Sequence, residues 1–147
     1  MNMLYPPALK KGDTIGVMST SCHVNEQDVL NAKEFIESQG YKTYIHPQTF
    51  LKHNQSAGSA KEKATALNEL FTNTDIKAIF SSRGGNRAST MLDSIDYDVV
   101  RANPKILIGY SDVTALTNAL HAKTGLISFQ GPLFRELETH KDYKQMM

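Results

Sequence analysis

The stretch Gly109-Tyr110-Ser111-Asp112-Val113 holds the sharpest chemical candidate in the chain. Ser111 stands between an apolar run, Lys105 to Gly109, and a segment of helical spacing that starts at Asp112. A serine at such a strand-to-helix turn can be held in a strained backbone conformation that lifts its hydroxyl above a sheet. The amide of Asp112 then points out of a helix N-terminus, where it can stabilise an oxyanion. The motif departs from the hydrolase pattern G-x-S-x-G, because Val113 stands in place of the second glycine. A plainer reading stands beside this one. Ser111 caps the helix, and Asp112 suits its first turn by charge.

Gly84-Gly85 is the second candidate, directly after the apolar run Ile76 to Phe80 and Ser81-Ser82-Arg83. Paired glycines let a backbone approach a ligand closely and offer amides to an anion or carbonyl. The ordinary alternative is a tight turn. Arg83 and Arg87 flank the pair, either as a bidentate clamp for a carboxylate or phosphate or as solvated charges. Ser19-Thr20-Ser21 loosely resembles the hydroxyl-rich phosphate loop of flavodoxins, without its glycine.

No histidine offers an evident base. His121 lies ten residues beyond Ser111 on the same expected helix, about 15 Å along its axis, too far for a hydrogen bond. His23 falls near the candidate loops, His46 and His53 lie by the second loop region, and His140 is in the tail. None has metal-ligand spacing. Nothing beside Cys22 marks it as an activated thiol.

The elements that must position these residues are legible as an alternation. Strands are expected at Thr14–Met18, Tyr41–Ile45, Ile76–Phe80, Lys105–Gly109 and Leu126–Phe129. Helical spacing covers Asn25–Gln39, Ala60–Phe71 and Asp112–Lys123, with a short helix near Ala88–Leu92. Gly40 and Gly125 are the expected stops, and a serine of the stretch His53 to Ala60 is an expected cap. Alternating βα units predict an open, doubly wound, mostly parallel sheet with helices on both faces. Ligands of such sheets bind beyond the carboxyl ends of the strands. That rule singles out the loops starting at Ser19, Ser81 and Tyr110.

Composition bounds the function. The chain has 147 residues, 40% hydrophobic and 21% charged, which is ordinary for one globular domain. Sixteen Lys and Arg face fifteen Asp and Glu. That balance supplies no electrostatic attraction for nucleic acid or a membrane surface. A single cysteine excludes an internal disulfide framework. No apolar run reaches the roughly 18 residues of a membrane span, and the N-terminal stretch lacks a signal-peptide pattern. A soluble, cytoplasmic location is expected.

Taken in order, several stretches carry a family likeness. They are Leu9 to Val17, Ile76 to Phe80 with Arg83-Gly84-Gly85, Ile95-Asp96-Tyr97-Asp98, Asn103 to Leu116, and Lys123 to Pro132. The set resembles the N-terminal domain of the LD-carboxypeptidase family of serine peptidases, which includes the microcin C immunity proteins. The likeness runs from residue 4 to about residue 134. It implies a flavodoxin-like or amidotransferase-like α/β domain in which Ser111 is the nucleophile and the amides of Asp112 and Gly85 form the oxyanion hole. Gly84, Arg83 and Asn86 are then the expected substrate contacts. It further implies a C-terminal domain that supplies the Glu and His of a Ser-His-Glu triad, an active site between the domains, and a homodimer. No cofactor or metal is implied. The implied substrates are small molecules: murein tetrapeptides that release D-alanine, or aminoacyl-nucleotides of the microcin C type.

Two departures qualify that likeness. The chain stops at Met147, so residues 1–134 are expected to be the nucleophile-bearing domain and residues 135–147 a linker or tail. The C-terminal catalytic domain is expected to be absent, and a serine without its base is a poor nucleophile. Gly85 is followed by Asn86-Arg87-Ala88-Ser89 instead of the aromatic-Gly pair of murein-recycling members, which leans toward the immunity-like branch. Two readings remain open beside the hydrolase. One is a non-catalytic flavodoxin-like module for a small ligand. The other is a remnant that associates with itself through an uncovered apolar face.

Overall fold

The computed structural model describes residues 2–139. Five strands, β1 (Thr14–Met18), β2 (Lys42–Ile45), β3 (Ile76–Ser81), β4 (Ile106–Gly109) and β5 (Phe129–Gln130), alternate with helical segments. The α-helices are α1 (Glu26–Ser38), α2 (Ala60–Thr72), α3 (Tyr97–Ala102) and α4 (Val113–Thr124). The sheet order is β2-β1-β3-β4-β5, and all four pairings are parallel. This is the doubly wound order of flavodoxin-like sheets.

Both faces are covered, which is why β3 is apolar almost throughout instead of alternating. On one face Leu67, Leu70 and Phe71 of α2, Val100 of α3, and Leu116 and Leu120 of α4 pack with Ile79 and Leu107. On the other, Val29, Ala32 and Ile36 of α1 pack with Ile15, Val17 and Phe80. Farther along that second face, Ile106, Ile108 and Phe129 line an apolar cleft of about 370 Å³.

Local chemistry sets the helix ends. The Asn25 side chain accepts from the Asp28 amide at the start of α1. Ser59 and Glu62 form a reciprocal capping box on α2. Gly125, with φ of 80°, ends α4.

Several elements differ from expectation. The short helix near Ala88 is a 3₁₀ segment, Ala88–Ser94. A 3₁₀ turn at Pro47–Phe50 and the six-residue α3 have no counterpart among the expected elements. The last strand is shorter and later than Leu126–Phe129. Leu4 inserts beside it, donating to the Gly125 carbonyl and accepting from the Ile127 amide, so sheet pairing starts only at Phe129. The stretch from residue 135, expected as linker or tail, begins inside the fold. A 3₁₀ turn spans Phe134–Glu136, and Phe134 and Leu137 are buried in the α1-side core. The Phe134 ring stands edge-on to Phe80 at 5.9 Å. Residues 140–147, with His140, lie outside the described residues.

Candidate active site

Because every strand runs the same way, the loops after β1, β3 and β4 emerge at one edge of the sheet. The turn after β4 is the most constrained. Ser111 has φ of 63°, one of three non-glycine residues with positive φ among the described residues. That left-handed conformation costs about 1–2 kcal/mol for an L-residue and persists only where the surroundings impose it. Here the Thr114 amide donates to the Ser111 carbonyl at 3.0 Å, and the Ala115 amide to the Asp112 carbonyl at 3.1 Å. On the other side, the Tyr110 hydroxyl donates to Glu136 at 2.9 Å. Gly109 makes the tight return of α4 feasible, since a Cβ there would fall 2.7 Å from Val113 Cγ1. Val113 therefore sits where G-x-S-x-G has glycine, and the room comes from the strand end.

The Ser111 side chain is exposed and makes no hydrogen bond among the described residues. It does not cap α4. Ordinary N-caps sit in the extended region, as Asn25 and Ser59 do in this chain.

The loop after β3 meets this turn through Gly84. A Cβ on Gly84 would lie 3.6 Å from Ser111 Oγ and 3.5 Å from its Cβ. Gly85 has φ of 135°, and a Cβ there would overlap Cys22 Sγ and lie 2.9 Å from Cys22 Cβ. Only glycine fits. The Cys22 amide also donates to the Gly84 carbonyl at 3.4 Å. Among the described residues, the amides of Gly85 and Asp112 donate to no partner. An exposed hydroxyl thus shares its turn with the unpaired Asp112 amide and stands beside the loop that carries the unpaired Gly85 amide.

The other expected site residues are placed as follows. Arg83 is half-buried, and its guanidinium donates to the His23 carbonyl at 3.0 Å, tying the β3 loop to the β1 loop. Asn86 is exposed, with Oδ1 3.7 Å from the Cys22 thiol. Arg87 is exposed and takes φ of 82°. His46 is committed elsewhere: Nε2 pairs with Glu69 at 2.7 Å, and Nδ1 accepts from the Gln48 amide. His121 Nδ1 lies 3.2 Å from the Leu126 carbonyl, at the far end of α4. Among the described residues, no three His, Cys, Asp or Glu converge on a metal position. No helix among them is long and apolar enough to cross a membrane.

The flavodoxin-like phosphate loop is corrected by the structure. Ser19, Thr20 and Ser21 are fully buried. Ser19 pairs with Ser82 and with the Thr49 carbonyl, and Thr20 pairs with Ser81. These hydroxyls staple β1 to β3 at their carboxyl ends and leave nothing facing a ligand.

Two side-chain roles were not anticipated. The Asp112 carboxylate accepts from the Ala88 amide at 2.9 Å, joining the Ser111 turn to the β3 loop. Lys63 of α2 is completely buried, and its ammonium donates to the Arg87 carbonyl at 3.0 Å. Burial pushes its pKa below the ordinary lysine range, against the upward pull of the Asp112 carboxylate. A signal for Lys63 was present, because it stands four residues before Leu67 and seven before Leu70, on the apolar face of α2.

The family described as LD-carboxypeptidase N-terminal domain matches residues 15–131. The microcin C7 self-immunity protein MccF of Escherichia coli is 42% identical over 132 residues, covering 88% of this chain and 38% of that protein. A probable murein peptide carboxypeptidase of Bacillus subtilis is 34% identical, covering 87% of this chain and 40% of its own length. A solved structure of MccF in complex with glutamyl sulfamoyl guanosine superposes with a TM-score of 0.91 at 37% identity, over 99% of this chain and 44% of that one. A muramoyltetrapeptide carboxypeptidase from Oxalobacter formigenes superposes at 0.74 and 27% identity, over 82% and 40%. The chain therefore spans about two fifths of the curated relatives it matches. With its parallel sheet, its strained serine turn and this match over most of its length, the chain belongs to the LD-carboxypeptidase family of serine peptidases, corresponding to the N-terminal domain.

Proposed function

We propose that the chain is the nucleophile-bearing half of a serine carboxypeptidase-type hydrolase. The observation that carries this reading is Ser111: positive φ, exposed, without a hydrogen-bond partner among the described residues, and beside Gly84. In the proposed reaction Ser111 Oγ attacks the carbonyl carbon of the scissile amide. The amides of Gly85 and Asp112 hold the oxygen that becomes negative, and preorganised donors of this kind are worth about 3–4 kcal/mol each. Collapse of the adduct expels the amine and leaves an ester on Ser111, which water then hydrolyses. A His in the length that the relatives have beyond this span takes the Ser111 proton and passes it to the leaving amine, and a Glu carboxylate from the same length orients that His. Gly84 forms the floor under the scissile bond, with Asn86 and Arg83 at its rim.

The proposed substrate is an aminoacyl-nucleotide in preference to a murein peptide. The loop Asn86-Arg87-Ala88-Ser89 lacks the aromatic-Gly pair of murein-recycling members. In addition, a superposing relative binds glutamyl sulfamoyl guanosine. The whole protein is proposed to act as a cytoplasmic homodimer.

The test is to express the longest reading frame that contains this chain beside the 147-residue chain itself. Each is assayed, with and without Ser111→Ala, on an aminoacyl sulfamoyl nucleoside and on a murein tetrapeptide. The longer protein is expected to cleave the nucleoside faster. Ser111→Ala is expected to lower turnover by about a thousandfold or more. Full activity in Ser111→Ala, or in the short chain, refutes the reading.

A further inference from the structure

We infer that Lys63 and the Asp112 carboxylate act as a pair of positioning residues that clamp one peptide unit, Arg87–Ala88, and thereby hold the oxyanion-side loop against the serine turn. The inference rests on the functional reading above. Its basis is that both contacts fall on the same peptide. The Lys63 ammonium donates to the Arg87 carbonyl at 3.0 Å, and the Asp112 carboxylate accepts from the Ala88 amide at 2.9 Å. A cation sits at the negative end of the peptide dipole and an anion at its positive end. Charge-assisted bonds of this kind are the strong ones, and burial of Lys63 strengthens its own.

The clamped peptide is also a strained one. Arg87 takes φ of 82°. Its carbonyl accepts from the Thr90 amide and hydroxyl as well, at 3.2 and 2.7 Å. Such a conformation needs surroundings that over-determine it. The peptide lies two residues after Gly85 and is bonded to the residue after Ser111. The two strained positions, Ser111 and Arg87, are thereby locked to each other.

Charge gives the pair a second consequence. An uncompensated carboxylate on Asp112 would oppose negative charge building at that residue's own amide. The Ala88 amide holds the carboxylate, and the buried ammonium at the opposite end of the same peptide offsets its charge. Lys63 pairs with no carboxylate directly among the described residues, so its charge is left to act through this peptide.

The test has two independent readouts. In the 147-residue chain, heteronuclear NMR follows amide exchange at Ala88. Lys63→Met is expected to speed it about tenfold or more, Lys63→Arg to stay within about twofold of wild type, and β4 amides to stay unchanged in both. In the longer protein, Lys63→Met is expected to lower kcat about tenfold with KM nearly unchanged, and Lys63→Arg to restore it. Unchanged Ala88 exchange in a folded Lys63→Met chain overturns the clamp. Faster exchange with kcat unaffected overturns its link to catalysis. Should Lys63→Met fail to fold, Asp112→Asn removes the charge at the other end of the same peptide from a half-exposed site. Wild-type Ala88 exchange in that variant overturns the proposal. Exchange needs no turnover, so an inactive longer protein refutes the catalytic reading while the clamp is still judged by exchange.

Discussion

Replacing Ser111 by glycine and by alanine separates a strained turn from a helix cap. At φ of 63° the side chain carries a left-handed penalty of about 1–2 kcal/mol. Glycine removes that penalty but adds freedom to the unfolded chain, worth about 0.5–1 kcal/mol. The net expectation for Ser111→Gly is stabilisation by about 0.5–1 kcal/mol, or a rise of about 1–3 °C in Tm for a chain of this size. Ser111→Ala keeps the Cβ and its strain and loses an oxygen that bonds to nothing among the described residues, so it should stay within about 0.5 kcal/mol of wild type. A side-chain cap keeps that order but puts both variants below wild type: alanine loses about 1 kcal/mol and glycine only a few tenths. Ser59 is the internal reference, since its side chain accepts from the Glu62 amide at 3.1 Å. Ser59→Ala should therefore lower Tm by about 2–4 °C. Thermal unfolding of the four proteins by circular dichroism, with reversibility checked, decides the matter. Ser111→Ala dropping alongside Ser59→Ala, or Ser111→Gly melting below wild type, refutes the strained turn.

The neighbouring glycines should behave differently from each other. Gly85→Ala meets Cys22 and an unfavourable φ, and is expected to lower unfolding stability by about 2 kcal/mol or more. Gly84→Ala makes only ordinary contacts, so stability should change by less than about 1 kcal/mol; its methyl, against Ser111 Oγ, should instead suppress turnover in the longer protein. Denaturant titration and the hydrolysis assay together check both. Lys105 gives a pH prediction. Its ammonium is buried and donates to the Leu70 and Asn73 carbonyls at the end of α2. Burial, with the nearby Lys77, lowers its pKa to about 8. The folded state therefore holds this proton less tightly than the unfolded state, so stability from this group is lost as pH falls through about 8 and complete above about 10.5. Melting wild type and Lys105→Met at pH values on either side of 8 should show wild type gaining on the variant as pH rises; a constant difference contradicts the assignment.

The strand and helix windows, the parallel sheet and the three loops at the carboxyl ends of β1, β3 and β4 were legible in the sequence because they rest on local periodicity. Apolar spacing distinguishes helix from strand within about a dozen residues, and an alternation of the two leaves few topologies. Ser111 and Gly84-Gly85 were legible for the same reason, as punctuation between such windows. The six-residue α3 is too short to show a period. The start of β5 depended on Leu4, more than a hundred residues away, which takes the Ile127 amide.

The state of each side chain was a matter for the tertiary structure alone. In the sequence, Ser19-Thr20-Ser21 looks like a ligand loop; the fold presses it against Ser81, Ser82 and Thr49 and uses up its hydroxyls. Lys63 stands on the apolar face of α2 in the sequence, but its burial is tolerated only because a carbonyl 24 residues on arrives to accept its hydrogen bond. Whether Ser111 caps or strains was equally undecided until Gly84 and Ala88 were brought to its turn. A backbone preference is a property of a short window, whereas a buried polar group is tolerated only when a distant partner satisfies it. The sequence could therefore name candidate residues for a site, and only their meeting in space could decide which are exposed, which are bonded and which are under strain.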